Sequence, residues 1–169
     1  MAVRSTPREA DLLDLVRVLA KAMQHRGLHL VTAESCTGGW IAKLVTDLPG
    51  SSAWFDAGLV TYSNEAKQHL LGVSSATLEQ FGAVSAETAR EMLAGALVHS
   101  TADVAVAVTG IAGPDGGTPD KPVGTIWIGW QRRGAEADTR CFHYVGNRDA
   151  VRRQTVAAAL SGLRHCLTA

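Results

Sequence analysis

The hydrophobic residues near the amino terminus recur at the spacing of one helix face. A capping-box pattern with proline at the first helical position opens this segment at residues 6–9, and Gly27 follows its last apolar position. The apolar positions are Leu12, Leu13, Val16, Leu19, Ala20 and Met23. The pattern predicts that residues 1–27 form an amino-terminal helix packed on the rest of a single domain spanning residues 1–169.

Strand-like and helix-like patterns then alternate along the chain. Strands are predicted at 29–33, 53–62, 103–108, 125–130 and 139–145, and helices at 39–48, 64–71, 78–81, 85–100 and 148–167. After Asp103, the stretch at 103–108 contains only valine and alanine, which suits a central strand covered on both faces. The order predicts an α/β fold, a single-domain three-layer α/β/α sandwich with a mixed, mostly parallel sheet.

Ligands of such folds bind outside the strand ends, where the connecting loops gather. Three loops are rich in glycine and in polar or reactive side chains, at 34–39, 49–52 and 109–124. A ligand site is therefore expected among these loops.

Composition narrows the range of functions. The chain has 169 residues with 16 basic and 16 acidic side chains, and no dense run of lysine or arginine, so a nucleic-acid partner is not expected. Its three cysteines are far apart, and no metal-binding motif occurs, so neither a disulfide framework nor a metal is indicated. No apolar run reaches membrane-spanning length. We expect a cytoplasmic protein without a membrane partner.

The AESCTGG stretch at 33–39 admits three interpretations. It follows a predicted strand and opens a helix, so its N–H groups could hold a phosphate or carboxylate, with two glycines clearing space. Ser35 or Thr37 could instead be a simple helix cap. Cys36 could be a thiol nucleophile, although most lone cysteines are packing residues. The spacing matches neither a Walker A loop nor G-x-G-x-x-G.

Serine and lysine flank the second predicted strand. Ser51 and Ser52 precede it, and Tyr62, Asn64 and Lys67 lie at or beyond its far end. A desolvated lysine can take the proton of a serine hydroxyl, so these residues could form a dyad without histidine. The alternative is that Lys67 is a solvated helix lysine.

The glycine- and proline-rich loop at 109–124 is the third candidate. Loops of this length inside compact domains are often functional, and Asp115 and Asp120 could anchor a ligand or form turns. A rigid surface turn is the alternative.

Three stretches together resemble the CinA C-terminal-domain family, which comprises nicotinamide mononucleotide deamidases. They are AESCTGGWIAKLVTDLPGSSAWFDAGLVTYSNEAKQHLLGV, GAVSAETAREML and ADVAVAVTGIAGPDGGTPDKPVGTIWIG, and the likeness runs from about Leu28 onward. It implies metal-independent, cofactor-free hydrolysis of the nicotinamide mononucleotide carboxamide to nicotinic acid mononucleotide and ammonia, in pyridine-nucleotide salvage. Longer members carry a further amino-terminal domain, so the stand-alone form is expected.

The resemblance assigns Ser52 as nucleophile and Lys67 as base of a serine–lysine dyad. Tyr62 is implied as an assisting hydroxyl, and Ser35 as a supporting residue. The predicted substrate contacts are Glu34, Thr37, Gly38, Gly39, Thr109, Gly110, Gly113, Asp115, Gly116 and Arg148. Whether the 33–39 stretch or the 109–124 loop takes the phosphate stays open.

A different class of function also fits the sequence. The chain could be a nucleotide-binding regulatory module that has kept the pocket and lost the chemistry. In either case the expected partner is a small-molecule nucleotide. A homodimer or higher homo-oligomer is expected from the frequency of symmetric assemblies.

Overall fold

A computed structural model of the protein describes residues 6–168, and residues 1–5 of the predicted amino-terminal segment lie outside that range. The helices are α1 (Glu9–Arg26), α2 (Trp40–Thr46), α3 (Asn64–Leu71), α4 (Ser75–Phe81), α5 (Ala86–Val98) and α6 (Arg148–Thr168). The strands are β1 (Leu30–Glu34), β2 (Phe55–Val60), β3 (Val104–Gly110), β4 (Thr125–Arg132) and β5 (Asp138–His143). No helix in this part of the chain is long and apolar enough to cross a membrane.

The five strands form one mixed sheet in the order β2-β1-β3-β4-β5. β1 pairs in parallel with both β2 and β3, whereas β4 is antiparallel to β3 and to β5. Four strands therefore share one direction and β4 alone is reversed. This confirms the predicted mixed, mostly parallel sheet.

Helices cover both faces of the sheet, which confirms the three-layer prediction. The valines of β3 at positions 104, 106 and 108 pack in one cluster with α1, α2 and α6. The intervening Ala105 and Ala107 pack against α5 and Leu71 of α3 on the other face. Because successive strand residues point to opposite faces, the uninterrupted apolar run of β3 supplies both cores.

Most predicted elements differ from the observed ones by a few residues at one or both ends, and two of these differences have a clear local cause. Helix α1 begins at Glu9 rather than Pro7, because Asp11 accepts a hydrogen bond from the Arg8 N–H at 2.9 Å and makes Arg8 the cap. The predicted strand at 53–62 is shorter, and residues 51–53 form a 3₁₀ turn before it. Gly50 enters that turn with φ of 83°, and the turn buries Trp54 at the start of β2.

β1 and β2 end at the same edge of the sheet. The hydrogen-bond ladder continues one step past β2, where the Thr61 N–H donates to the Glu34 carbonyl at 2.8 Å. The Ser35 N–H donates to the Val108 carbonyl of β3 at 3.0 Å. The segments that follow β1, β2 and β3 therefore begin side by side, at the edge where ligands bind in sheets of this kind.

Candidate active site

Ser35 and Lys67 meet at this edge of the sheet. Ser35 follows β1 directly, and Lys67 lies in the first turn of α3, which Ser63 caps by accepting from the Ala66 N–H. The Lys67 Nζ lies 3.0 Å from the Ser35 Oγ. Lys67 is only 1% exposed and Ser35 7% exposed, so the contact is screened from bulk water.

The Lys67 amine is buried among hydrogen-bond acceptors. The Nζ donates to the Thr61 carbonyl at 2.9 Å and to the Tyr62 carbonyl at 3.3 Å. With the Ser35 Oγ at 3.0 Å, three acceptors therefore surround the amine, one for each N–H of the ammonium form. Burial disfavours the ammonium form and lowers the pKa of Lys67. The interpretation of Lys67 as a solvated helix lysine is therefore wrong.

The pair borders a cavity of about 260 Å³. Its walls come from the segments after β1, β2 and β3, from the α4–α5 link and from the start of α6. The lining residues are Ser35, Cys36, Tyr62, Asn64, Lys67, Ala83, Val84, Thr109, Gly110, Ile111, Ala112, Gly113, Asp115, Gly116 and Arg148. The structure thus brings together Ser35, Lys67 and Tyr62 with the predicted substrate contacts of the 109–116 segment and Arg148.

Ser52 lies elsewhere. It is exposed in the 3₁₀ turn before β2, whereas Lys67 follows the far end of that strand. The six residues of β2 at about 3.3 Å each separate the two ends by roughly 20 Å. The predicted contact between Ser52 and Lys67 of the same chain is therefore wrong. Ser35 lies beside the Lys67 amine instead.

The buried Glu34 carboxylate caps the start of α2. Its carboxylate accepts from the Thr37 hydroxyl at 2.6 Å, the Ile41 N–H at 3.0 Å and the Ala42 N–H at 2.9 Å. Glu34 is 1% exposed, so these three donors take the place of water around the charge.

The predicted substrate contacts in the 33–39 stretch are therefore corrected. The N–H groups of Ile41 and Ala42 at the start of α2 donate to the Glu34 carboxylate, so they are not available to a substrate phosphate. Of this stretch, only the segment of Ser35 and Cys36 reaches the cavity wall. The residues that do not line the cavity are Glu34, Thr37, Gly38 and Gly39.

Arg148 links two walls at the cavity mouth. Its guanidinium donates to the Gly113 carbonyl at 2.7 Å and to the Tyr62 hydroxyl at 2.9 Å. Asn147 caps α6 by accepting from the Ala150 N–H at 2.9 Å, and Arg148 is the first residue of that helix. The Tyr62 side chain is 61% exposed, so its hydroxyl lies at the entrance while its carbonyl contacts Lys67.

The glycine-rich loop is fixed at its base and open at its tip. The Thr109 hydroxyl donates to the Ala83 carbonyl at 2.8 Å, and the Ile111 N–H donates to the Thr125 carbonyl at 2.9 Å. Gly113 and Gly116 adopt φ of 81° and 90°, which other residues rarely tolerate. The loop therefore presents its backbone to the cavity beside Arg148.

Cys36 has an inert environment. The side chain is 5% exposed and belongs to the core cluster beneath α2, and burial raises the pKa of its thiol to about 12. A thiol with this pKa is almost entirely protonated at neutral pH, and the protonated form is a poor nucleophile. The interpretation of Cys36 as a packing residue fits the structure better than a thiol nucleophile.

The sequence-based search missed some wall residues. Asn64 lies in the motif that contains Lys67, so its position offered a signal, whereas Ala83 and Val84 have no chemical feature that marks them. Arg152 of α6 contacts the backbone just after Ser35 without lining the cavity, and only the fold reveals that contact.

Fold and site together define an α/β/α protein with a buried serine–lysine pair beside a cavity of about 260 Å³. The profile of the CinA C-terminal domain matches residues 13–167, and the chain belongs to this family.

Named relatives and a solved structure agree with that membership. Over 155 residues the chain is 52% identical to "Nicotinamide-nucleotide amidohydrolase PncC" of Escherichia coli (strain K12), covering 92% of this chain and 94% of that protein. The protein of the same name from Pseudomonas putida is 52% identical over 145 residues, covering 86% and 90%. The crystal structure of "competence/damage inducible protein CihA" from Agrobacterium tumefaciens superimposes with a TM-score of 0.91 at 43% identity, covering 100% of both chains.

Proposed function

We propose that the protein hydrolyses the carboxamide of nicotinamide mononucleotide to give nicotinic acid mononucleotide and ammonia, in pyridine-nucleotide salvage. The observation that carries the proposal is the 3.0 Å contact between the Lys67 amine and the Ser35 hydroxyl at the cavity wall. The relatives from Escherichia coli and Pseudomonas putida supply the substrate class, since both are named nicotinamide-nucleotide amidohydrolases.

Ser35 is the nucleophile in this proposal, in place of Ser52. Its Oγ attacks the carboxamide carbon as the Lys67 lone pair takes the hydroxyl proton. The carbonyl oxygen becomes an oxyanion, which needs N–H donors already in place. In the described part of the chain, the Cys36 N–H donates to no other residue, and Cys36 lines the cavity beside Ser35. This N–H group directly follows the nucleophile and can stabilise the oxyanion.

The amine then returns the proton. The protonated Lys67 donates it to the nitrogen of the tetrahedral intermediate, so the C–N bond breaks and ammonia leaves. A water molecule attacks the resulting Ser35 ester as Lys67 takes its proton, and Lys67 then returns that proton to the departing Ser35 Oγ, which releases the carboxylic acid. The balance is one amide and one water converted to one acid and one ammonia, and Lys67 ends in its neutral form.

The substrate phosphate needs an anion-binding site in the cavity. Because Glu34 occupies the start of α2, the available anion site combines the Arg148 guanidinium with the backbone of residues 113–116. A guanidinium and turn N–H groups suit a phosphate. We assign the phosphate to this wall and the carboxamide to the Ser35 side.

The cellular setting is inferred from the thiols. Cys36, Cys141 and Cys166 are all free, which suits a reducing cytoplasm. A homo-oligomer stays a prediction, and size-exclusion chromatography with light scattering tests it.

An ammonia-release assay tests the reaction and the nucleophile together. We expect wild type to release ammonia from nicotinamide mononucleotide, Ser35→Ala and Lys67→Ala to lose activity by at least about a thousandfold, and Ser52→Ala to keep it. Nucleotide binding without ammonia release by wild type would identify the silent regulatory module instead. Loss in Ser52→Ala with activity kept in Ser35→Ala would return the nucleophile to Ser52.

A further inference from the structure

We propose that Arg152 is a positioning residue that sets the backbone of the turn at residues 35–38, and through it the oxyanion-binding N–H group of Cys36. The inference rests on the proposed function, since it concerns how the same site is held for the reaction. Arg152 lies on α6, more than a hundred residues from this turn in the chain.

Two hydrogen bonds join Arg152 to the turn. Its Nε donates to the Cys36 carbonyl at 3.1 Å, and its Nη2 donates to the Thr37 carbonyl at 3.0 Å. The planar guanidinium holds both donors in a fixed relative orientation, so it constrains two consecutive peptide groups at once. The guanidinium carbon also lies 5.0 Å from the centre of the Trp40 ring, which supports it from the side.

Holding a carbonyl also orients the N–H of the same peptide. The C=O and N–H of a trans peptide lie in one plane and point in opposite directions. The bond to the Cys36 carbonyl therefore sets the direction of the Thr37 N–H. The bond to the Thr37 carbonyl likewise sets the direction of the Gly38 N–H.

A hydrogen bond within the turn connects the Gly38 N–H to Ser35. The Gly38 N–H donates to the Ser35 carbonyl at 3.0 Å, and that carbonyl shares its peptide plane with the Cys36 N–H. Arg152 thus acts on the Cys36 N–H through the peptide plane of the Gly38 N–H and the closing bond of the turn. The proposed oxyanion donor therefore depends on the bond from Arg152 to the Thr37 carbonyl.

Arg152 acts on the turn and not on the ligand. It lies outside the lining of the cavity, in contrast to Arg148. Its loss should therefore lower the rate of the chemical step with little effect on substrate binding. A residue that held the substrate would show the opposite pattern.

The neighbouring Arg153 is a matched control. Its guanidinium carbon also lies over the Trp40 ring, at 5.1 Å, and Arg152 and Arg153 are both partly buried on α6. Its Nε donates to the Asp149 carboxylate at 2.7 Å instead of to the turn. The two arginines share their charge and their contact with Trp40 and differ in the bonds to Cys36 and Thr37.

The experiment compares Arg152→Met with Arg153→Met, since methionine keeps an unbranched stem for packing on Trp40. We expect Arg152→Met to lower kcat about 10- to 100-fold, because small displacements of a positioned group have effects of that size. KM should stay within about threefold, and Arg153→Met should match wild type. Arg152→Lys, which can still donate to a carbonyl, should recover part of the rate. If Arg152→Met does not fold, Arg152→Lys against Arg153→Lys makes the same comparison.

A second readout is independent of turnover. In ¹⁵N NMR spectra, Arg152→Met should shift the amide signals of Cys36, Thr37 and Gly38, whereas Arg153→Met should leave them in place. Equal kcat and equal spectra for the two variants would overturn the proposal, as would a rise in KM at unchanged kcat. If wild type releases no ammonia, the proposed function fails, and the NMR comparison still decides whether Arg152 positions the turn.

Discussion

The Arg148 guanidinium donates to the Tyr62 hydroxyl at 2.9 Å, and this contact joins the start of α6 to the segment after β2. It spans the mouth of the cavity, because Tyr62 and Arg148 both line it. The second nitrogen of the same guanidinium holds the Gly113 carbonyl, so one side chain connects three segments. A cation at the entrance is suitably placed to meet an anionic substrate.

Arg148→Ala should raise KM for nicotinamide mononucleotide about 10- to 100-fold, because one charged hydrogen-bond donor to the phosphate is lost. The Ser35 and Lys67 contact does not involve Arg148, so kcat should change far less. Tyr62→Phe is the control, since it removes the hydroxyl and keeps the cation. Initial-rate kinetics measure both variants, and an unchanged KM in Arg148→Ala would exclude this arginine from phosphate recognition.

The rate should depend on pH through Lys67. Burial lowers the pKa of its amine, and only the neutral form can take the Ser35 proton. Activity is therefore present above the folded-state pKa and falls as pH drops through it, at a pH below the ordinary lysine value of 10.5. A pH profile of kcat measures this limb, and circular dichroism at each pH confirms that the protein is folded.

Lys67→Arg sharpens the pH test. Arginine stays charged across the accessible pH range, so the variant should be inactive at every pH. Appreciable activity in that variant, or a rate that does not change on the acid side, would contradict the role of Lys67 as base.

Glu34→Gln should destabilise the protein by about 2 to 4 kcal/mol. The carboxylate accepts three hydrogen bonds in a buried position, whereas glutamine turns one oxygen into an N–H₂ group that faces another donor. Urea unfolding followed by fluorescence measures the loss. Glu9→Gln is the control, since Glu9 contacts Lys43 at the surface and its replacement should change the free energy of unfolding little. Similar stabilities of the two variants would contradict the capping role of Glu34.

Cys36→Ala should keep most of the activity. The pKa of its thiol is raised to about 12, and the side chain is buried in a core cluster. For the same reason, iodoacetamide should inactivate wild type slowly in the folded state. Rapid inactivation that Cys36→Ala abolishes, together with loss of turnover in that variant, would restore the thiol mechanism.

Much of the fold follows from local patterns. The valine–alanine run of β3 predicted a strand covered on both faces, and β3 lies third of five in the sheet with a core on each side. Gly27 was predicted to end the first helix, and it does so with φ of 62°. Short-range periodicity and glycine conformation determine these features, so the sequence alone reveals them.

The site was less accessible to sequence reasoning, because it depends on which end of a strand faces which loop. Ser52 lies nearer to Lys67 in the chain than Ser35 does, yet the length of β2 separates Ser52 from the amine. Contact between Ser35 and Lys67 requires β1 and β2 to be parallel neighbours, a long-range fact that spacing along the chain does not contain. The residues that Arg152 contacts are even farther from it along the chain.

The ladder bond from the Thr61 N–H to the Glu34 carbonyl has a consequence for how the site can change. Ser35 comes one residue after Glu34, and the Thr61 carbonyl accepts from the Lys67 amine, so the spacing of two paired strands sets the distance between the Ser35 hydroxyl and the Lys67 amine. The loop at 111–124 takes no part in that spacing. Substitutions there should therefore alter recognition of the part of the substrate remote from its amide, while the Ser35 and Lys67 pair keeps its geometry.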